Sequence, residues 1–438
     1  MAPNKIERII SSGKNVYVVG IKGGGVAGLA QILKSKGFKV SGSDTHEKFF
    51  TDAILRKNRI PFKEGFSAKN ISSLIRANRR IDWVLASNAY LMEPVKNPEI
   101  LEVRRRKIPI LSYPEVLSHF FNQSFGVAVA GTHGKTSVSA MIAFIFQYAG
   151  LKPNAIIGGE VLDWSSNAIV GNSNVFVLEA DEYKDAFLNY KPDIAVILNT
   201  DWDHPDYFKS HADYKRSFKK FAANIKPGGR IITAESISSL IHANRRIRKI
   251  DSSLIGEFNQ FNLRAAYAVA HYMGIPRKKI LAALKKFKGT RRRLEVVGKL
   301  GRNILIDDYA HNAQKVKAAL RALKKHHKNR ELIVVFQPHT FSRTEQFLED
   351  FADALSEADK IYLLDIYASA REKIGTVTSD NLVELVNELG KIAVNLNSIP
   401  NAAKFFKEKI PKNSVIVSMG AGDVGKLAYI LAGRKELI

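Results

Sequence analysis

Cysteine is absent from all 438 residues. That excludes disulfides, thiolate metal sites and a cysteine nucleophile, and it fits a reducing compartment. Long apolar runs are missing as well. No window holds 18 uninterrupted apolar residues, so no membrane span is expected. The opening Met-Ala-Pro-Asn-Lys begins no signal-type apolar stretch before Val16, so a cytoplasmic protein is expected. Acidic side chains are few: 42 Asp and Glu stand against 67 Lys and Arg, a net charge of +25. The excess is scattered in short runs such as Arg104–Lys107, Arg291–Arg293 and Lys324–Lys328, which read as solvated helix faces or a proteome-wide bias. The aromatic and basic interleaving of RNA-binding modules is lacking, so no nucleic acid is expected as a partner.

What is present is apolar and rich in glycine turns. Hydrophobic residues make up 45% of a chain longer than one core usually supports, so two or three domains are expected. The most informative stretch is Val129-Ala-Gly-Thr-His-Gly-Lys-Thr-Ser137. The apolar run Phe125–Ala130 before it reads as a buried strand. Val138, Met141, Ile142, Ile145 and Tyr148 after it share one face of a helix that stops at Gly150. Strand, glycine turn, lysine, threonine, helix is the layout of a nucleotide phosphate cradle. Backbone N–H groups at a helix start face anions, and the helix dipole adds to the attraction. Gly131 and Gly134 let the backbone approach, with Thr132, His133 and Ser137 in the same turn. Lys135 can reach the outer phosphates, and Thr136 can offer its hydroxyl to Mg²⁺. Val129 stands where the strict pattern has a glycine, so the loop is a variant.

Two further glycine turns flank this one. The strand Asn15–Gly20 leads into a turn in which Gly23, Gly25 and Gly28 satisfy G-x-G-x-x-G, and a second strand ends at Asp44. This is the pattern of a Rossmann-type dinucleotide or nucleotide-sugar site. In the middle of the chain, the strand Val175–Leu178 delivers Glu179-Ala-Asp-Glu182, and Ile194–Leu198 delivers Asn199-Thr-Asp-Trp-Asp-His204. Acids and a histidine at neighbouring strand ends, beside a phosphate loop, suit Mg²⁺, which takes hard oxygen ligands. Asn259 and Asn262 precede an alanine-rich helix, Leu263–Met273; they read either as caps or as readers of adenine. Later strands end in Asp307-Asp-Tyr-Ala-His-Asn312, in Gln337-Pro-His-Thr-Phe-Ser-Arg-Thr344, in Tyr367–Glu372 and in Gly420-Ala-Gly-Asp-Val-Gly425. The expected fold is α/β in three domains. They are a Rossmann-like N-terminal domain (1–122), a central P-loop ATPase-type parallel-sheet domain (123–290) and a Rossmann-like C-terminal domain (291–438).

Ala130–Thr136, Glu179–Glu182, Asn199 with Asp203 and His204, Asn259 with Asn262, Arg292-Arg293-Leu-Glu295 and Asp308–His311, in that order, resemble the Mur ligase family. These are the ATP-dependent amino-acid ligases of peptidoglycan precursor synthesis. The resemblance covers nearly the whole chain and implies the following. UDP-N-acetylmuramate spans the first two domains, ATP sits in the middle one, and L-alanine enters at the third. An acyl phosphate forms and the amine displaces phosphate from it. Lys135 binds the β- and γ-phosphates, Thr136 and Glu179 hold one Mg²⁺, His204 joins a second ion, and Asn259 meets adenine. Arg293 and Asp308 touch phosphate and ribose on domain closure. Gly23, Gly25 and Asp44 face the sugar nucleotide, and His311, His339 and Arg343 the amino acid. The chain acts as a monomer or homodimer. The alternatives are a relative that attaches a recycled murein tripeptide, a phosphate-loop ATPase of other function and, least favoured, an NAD-binding oxidoreductase. Departures from the family pattern are Thr340 for an arginine, Asn312 for a histidine and Lys22 for a glycine. Phe218 stands where several siblings carry a carbamylated lysine, so no carbamate is expected.

Overall fold

The computed structural model describes residues 4–91, 97–204, 207–243, 247–368 and 375–434. Three sheets follow one another along the chain. The first holds β1 (Asn15–Val19), β2 (Lys39–Asp44), β3 (Phe62–Glu64), β4 (Trp83–Ala86) and β5 (Ile110–Ser112). Its order is β3-β2-β1-β4-β5, and every pair is parallel. The second holds β6 (Phe125–Ala130), β7 (Asn154–Val161), β8 (Ser166–Ile169), β9 (Val175–Glu179), β10 (Ile194–Ile197) and β11 (Arg230–Thr233). Its order is β11-β10-β6-β9-β7-β8, with only β7 and β8 antiparallel. The third holds β12 (Glu295–Leu300), β13 (Asn303–Asp308), β14 (Glu331–Phe336), β15 (Lys360–Leu363), β16 (Ala393–Asn395) and β17 (Ser414–Met419). The order there is β12-β13-β17-β14-β15-β16, with β12 antiparallel to β13 and the rest parallel. The chain is thus α/β, as expected.

Contacts gather these sheets into two compact units. One takes the chain up to residue 253 together with 260–288, and the other takes 254–259 and the chain from 289. In the first unit one apolar core runs through both sheets, from Val18, Leu85 and Leu33 to Ile156, Phe176 and Ala195. The helix Gly24–Ser35 joins them, because it buries Val26, Ala27, Leu29, Ala30, Ile32 and Leu33 and so is apolar nearly all round. Its Gly28 lies against β7, where an added Cβ would come within 3.1 Å of Ile156. Buried polar groups close the seam: Asn167 donates to Gly24 O at 2.6 Å, Gln31 donates to Asn167 at 3.3 Å, and Ser166 donates to Gln31 at 3.1 Å.

In the second unit the inner strands β14 and β17 are apolar on both faces, as parallel strands covered by helices must be. Val334 and Phe336 face one core with Val417 and Met419; Ile333 and Val335 face the other with Ile416 and Leu427. No described helix is long and apolar enough to cross a membrane.

Two expectations need correction. Asn259 and Asn262 do not precede their helix; they lie inside its first turns, because the helix runs Glu257–Tyr272 and both side chains are buried. The strands that deliver the acids and the histidine, β9 and β10, are not adjacent. They flank β6, one on each side.

Candidate functional site

β6 passes into the turn Gly131–Gly134 and the helix Lys135–Tyr148. Gly134 caps that helix at φ 87°, a left-handed conformation, and a Cβ there would stand 2.6 Å from Asn262 Oδ1. Glycine is therefore required for conformation and for space. The turn is pinned from β10: His133 N donates to Asn199 Oδ1 at 2.8 Å, and Asn199 returns a bond to His133 O at 3.1 Å. Thr132 bonds to Asp201 O and, at 2.8 Å, to the Tyr214 hydroxyl. Ser137 lies in the first helical turn.

Lys135 Nζ reaches back over the turn to Gly131 O at 2.6 Å and is clasped by both oxygens of Glu182 at 2.7 and 3.0 Å. Burial alone would lower the lysine pKa, but Glu182, Asp181 and Glu179 outweigh it and hold the ammonium above its ordinary value. Thr136 donates to Glu179 Oε1 at 2.8 Å, and the other Glu179 oxygen takes Gly158 N at 2.6 Å. The hydroxyl and carboxylate expected to share a cation therefore already meet. His204 stands apart from that pair. It joins Asp181 and Glu182, with one ligand atom from each lying within 4.8 Å of the others. Glu182 is fully buried, accepts from Tyr214 OH at 3.1 Å, and lies 3.8 Å from His204 Nε2. The sequence reads Glu182 only among the acids that suit Mg²⁺, not as the partner of Lys135. The signal was available, since a loop lysine drawn away from solvent needs an anion beside it. Asn262 was also missed as a neighbour of the turn. Pro205 and Asp206, beside His204, lie outside the described residues.

In the first sheet, β1 enters its turn at Gly20 and the helix Gly24–Ser35 starts at Gly23. Gly25 lies directly under the Tyr113 hydroxyl, leaving no room for a Cβ. Asp44, at the end of β2, is buried. Its oxygens take Lys22 N at 2.6 Å and Thr45 N at 2.8 Å, with Tyr90 OH at 3.4 Å. Burial raises its pKa above the usual carboxylate value.

In the second unit the expected residues gather around β13 and β14. Asp308 accepts Leu294 N at 2.7 Å and Ala310 N at 2.8 Å, and Tyr309 N donates to Arg292 O at 2.7 Å, so the 292–294 segment is tied to the end of β13. The Arg292 and Arg293 guanidinium groups lie over the Tyr309 ring at 5.0 and 5.3 Å. The His311 ring is 6.3 Å from that of His339, which stacks on Tyr367 at 5.6 Å. Burial, with Lys315, Arg343 and Arg293 nearby, pushes the His311 pKa down to about 3, so its imidazole is neutral at physiological pH. Thr340 occupies φ 70°, held by Thr340 N donating to Tyr367 O at 3.0 Å and by Thr344 Oγ donating to Thr340 O at 2.7 Å. Asn259 donates to Ile255 O at 2.8 Å. Residues 369–372 of the Tyr367 segment lie outside the described residues.

Comparison with known proteins places this geometry. Three family profiles match in turn. They are the Mur ligase family catalytic domain over residues 15–125, the Mur ligase middle domain over 129–238, and the Mur ligase glutamate ligase domain over 292–422. The UDP-N-acetylmuramate–L-alanine ligase of Desulfitobacterium hafniense is 32% identical, over 95% of this chain and 99% of its own. That of Carboxydothermus hydrogenoformans is 33% identical over 96% of each. Among solved structures, a UDP-N-acetylmuramate–alanine ligase from Thermotoga maritima superposes with a TM-score of 0.76 at 24% identity, covering 96% of this chain and 98% of that one. A murein peptide ligase from Psychrobacter arcticus gives 0.65 at 22% identity, covering 97% and 100%.

Proposed function

The chain belongs to the Mur ligase family, and from that premise we infer that it is an ATP-dependent carboxylate–amine ligase joining L-alanine to UDP-N-acetylmuramate in peptidoglycan precursor synthesis. The observation that carries the chemistry is the β6 cradle, with its glycine-capped helix, its partly buried lysine and the Thr136–Glu179 pair beside it. Three domains (1–122, 123–290 and 291–438) would take sugar nucleotide, ATP and amino acid respectively, in the cytoplasm, as a monomer or homodimer.

The lactyl carboxylate of the sugar would attack the γ-phosphorus, giving an acyl phosphate and ADP. The alanine amine would then attack the acyl carbon and phosphate would leave. Two anions must meet in the first step, so positioned cations supply much of the catalysis. Lys135 would exchange the Glu182 carboxylate for phosphate oxygens. The turn is held by Asn199, so its remaining amides would need no reorganisation as charge develops. The side chains fit Mg²⁺: Thr136 and Glu179 offer hard oxygens in contact, and His204 lies with Asp181 and Glu182. Bound there, the ion would neutralise phosphate oxygens. Asn259 would meet adenine, and Arg293 and Asp308 phosphate and ribose. Arg343 would pair with the alanine carboxylate, and neutral His311, whose Nδ1 faces Tyr309 O at 2.9 Å, leaves Nε2 to accept from the ammonium. His339 would complete that wall.

One assay tests the reading: ATP, Mg²⁺ and UDP-N-acetylmuramate with L-alanine or with the murein tripeptide, followed by mass analysis. Phosphate release should require both sugar nucleotide and amine, and L-alanine should be the amine incorporated. Preferential incorporation of tripeptide, or hydrolysis of ATP alone, overturns it.

A further inference from the structure

Lys22 is the departure in the first glycine turn that the proposed reaction leaves unexplained. A lysine beside a nucleotide-binding turn invites the expectation of direct contact with phosphate. The structure sends its side chain the other way. Lys22 is fully buried, and its Nζ donates to Thr45 O at 3.1 Å and to Glu47 O at 2.8 Å. It pairs with Asp52 at 3.2 Å, and the Asp52 side chain is equally buried. Glu64 lies 3.9 Å away, and the Phe62 ring 5.3 Å. The backbone of the same residue is held twice more. Lys22 N donates to Asp44 Oδ2 at 2.6 Å, and Lys22 O accepts from Thr51 Oγ at 2.5 Å. One residue of the turn thus fastens it to the connection after β2 and to the start of the helix Phe50–Lys57. Asp44 is drawn into the same lattice, with both oxygens on backbone N–H groups.

We propose that Lys22 is a positioning residue for the sugar nucleotide. By locking the Gly20–Gly25 turn against residues 44–52, it holds the turn amides and the Asp44 carboxylate in the arrangement that receives the uridine diphosphate. The inference rests on the reading that this turn takes the uridine diphosphate. A charged tether suits the task because its alternative states are costly: a buried ammonium or carboxylate without its partner is strongly disfavoured, so the turn has one low-energy position. Preorganisation of this kind lowers the cost of binding without touching the ligand.

The experiment compares wild type with Lys22→Met and with the doubly neutral K22M/D52N. The second variant removes both charges together, leaves no buried charge unpaired, and retains an amide oxygen at position 52 for the helix cap. UDP binding is measured by calorimetry, and KM and kcat are measured for UDP-N-acetylmuramate and ATP. In folded K22M/D52N, UDP affinity should fall about tenfold or more, as expected when site groups lose their fixed positions. KM for the sugar nucleotide should rise in parallel, while kcat and KM for ATP stay within about twofold, since the β6 cradle is untouched. Asp52→Asn alone, which keeps both carbonyl bonds to Lys22, should give a smaller effect. A folded double variant that binds UDP as tightly as wild type overturns the inference alone, and so does one in which kcat falls with KM unchanged. Wild-type protein that takes up no UDP overturns the reading beneath it as well.

Discussion

In the proposed reaction a single lysine, Lys135, would meet the triphosphate. Its Nζ folds back over the β6 turn onto Gly131 O, and Glu182 holds it there. Lys135→Ala should reduce ligation by at least 10²–10³-fold, the usual loss for one preorganised charge; turnover near wild type in the same assay would count against the cradle. Asp307 supports a second residue-level prediction. It is buried under Gly425, 3.4 Å from Arg292 Nε, and burial pushes its pKa from 3.8 up to about 7. The folded state therefore binds this proton more tightly than the unfolded chain. Its favourable contribution is complete below pH 3.8 and is lost as pH rises through about 7. Asp307→Asn should melt close to wild type near pH 4 and progressively above it toward pH 8. A constant gap between the two melting curves would refute this. His311, with a pKa pushed down to about 3, acts in the opposite sense, losing stability as pH falls below 6.5; taking the difference between variant and wild type removes it.

At the level of elements, the conformation of one cap shapes the proposed phosphate site. Gly134→Ala must place a methyl group at φ 87° and against Asn262 Oδ1. The left-handed backbone alone costs about 1–2 kcal/mol. We expect a lower melting temperature and a raised KM for ATP; unchanged ATP kinetics would show that the cap geometry is not used. The strands were legible where sequence signals are strongest. Phe125–Ala130 and Ser414–Met419 have the bounds that their apolar runs suggest, because buried parallel strands need continuous hydrophobicity. β8 and β12 were not legible. Each is an antiparallel addition whose residues, such as Ser166 and Lys299, are polar or half-exposed, and tertiary pairing alone makes them strands. Asn259 and Asn262 misled for a related reason. Asparagine favours caps in isolation, but the buried environment here carries the helix back to Glu257. The Thr136–Glu179 meeting was readable from strand ends, whereas the burial of Lys22 was not. Its partner Asp52 lies thirty positions on, and no local pattern links them.

For the molecule as a whole, net charge is the quantity the substrates experience first. At +25 the field of the chain favours the approach of polyanions, the class to which the ATP and uridine diphosphate sugar of the proposed reaction belong. Salt should erode that advantage: the Debye length falls from about 10 Å at 0.1 M to about 3 Å at 1 M. kcat/KM for both nucleotides should decline with added NaCl while kcat changes little, and an unchanged kcat/KM would mean that the charge serves another end. The seam between the first two sheets has a different consequence. Gly28, Gln31, Ser166 and Asn167 interlock across it, and one apolar core continues beneath. A chimaera that grafted the first 122 residues of a sibling onto this chain would inherit a mismatched joint, unless positions 28 and 31 travelled with their partners on β7 and β8. Natural exchange of sugar-recognition modules between such enzymes should therefore have its breakpoints after β8, not at the shorter stretch before β6.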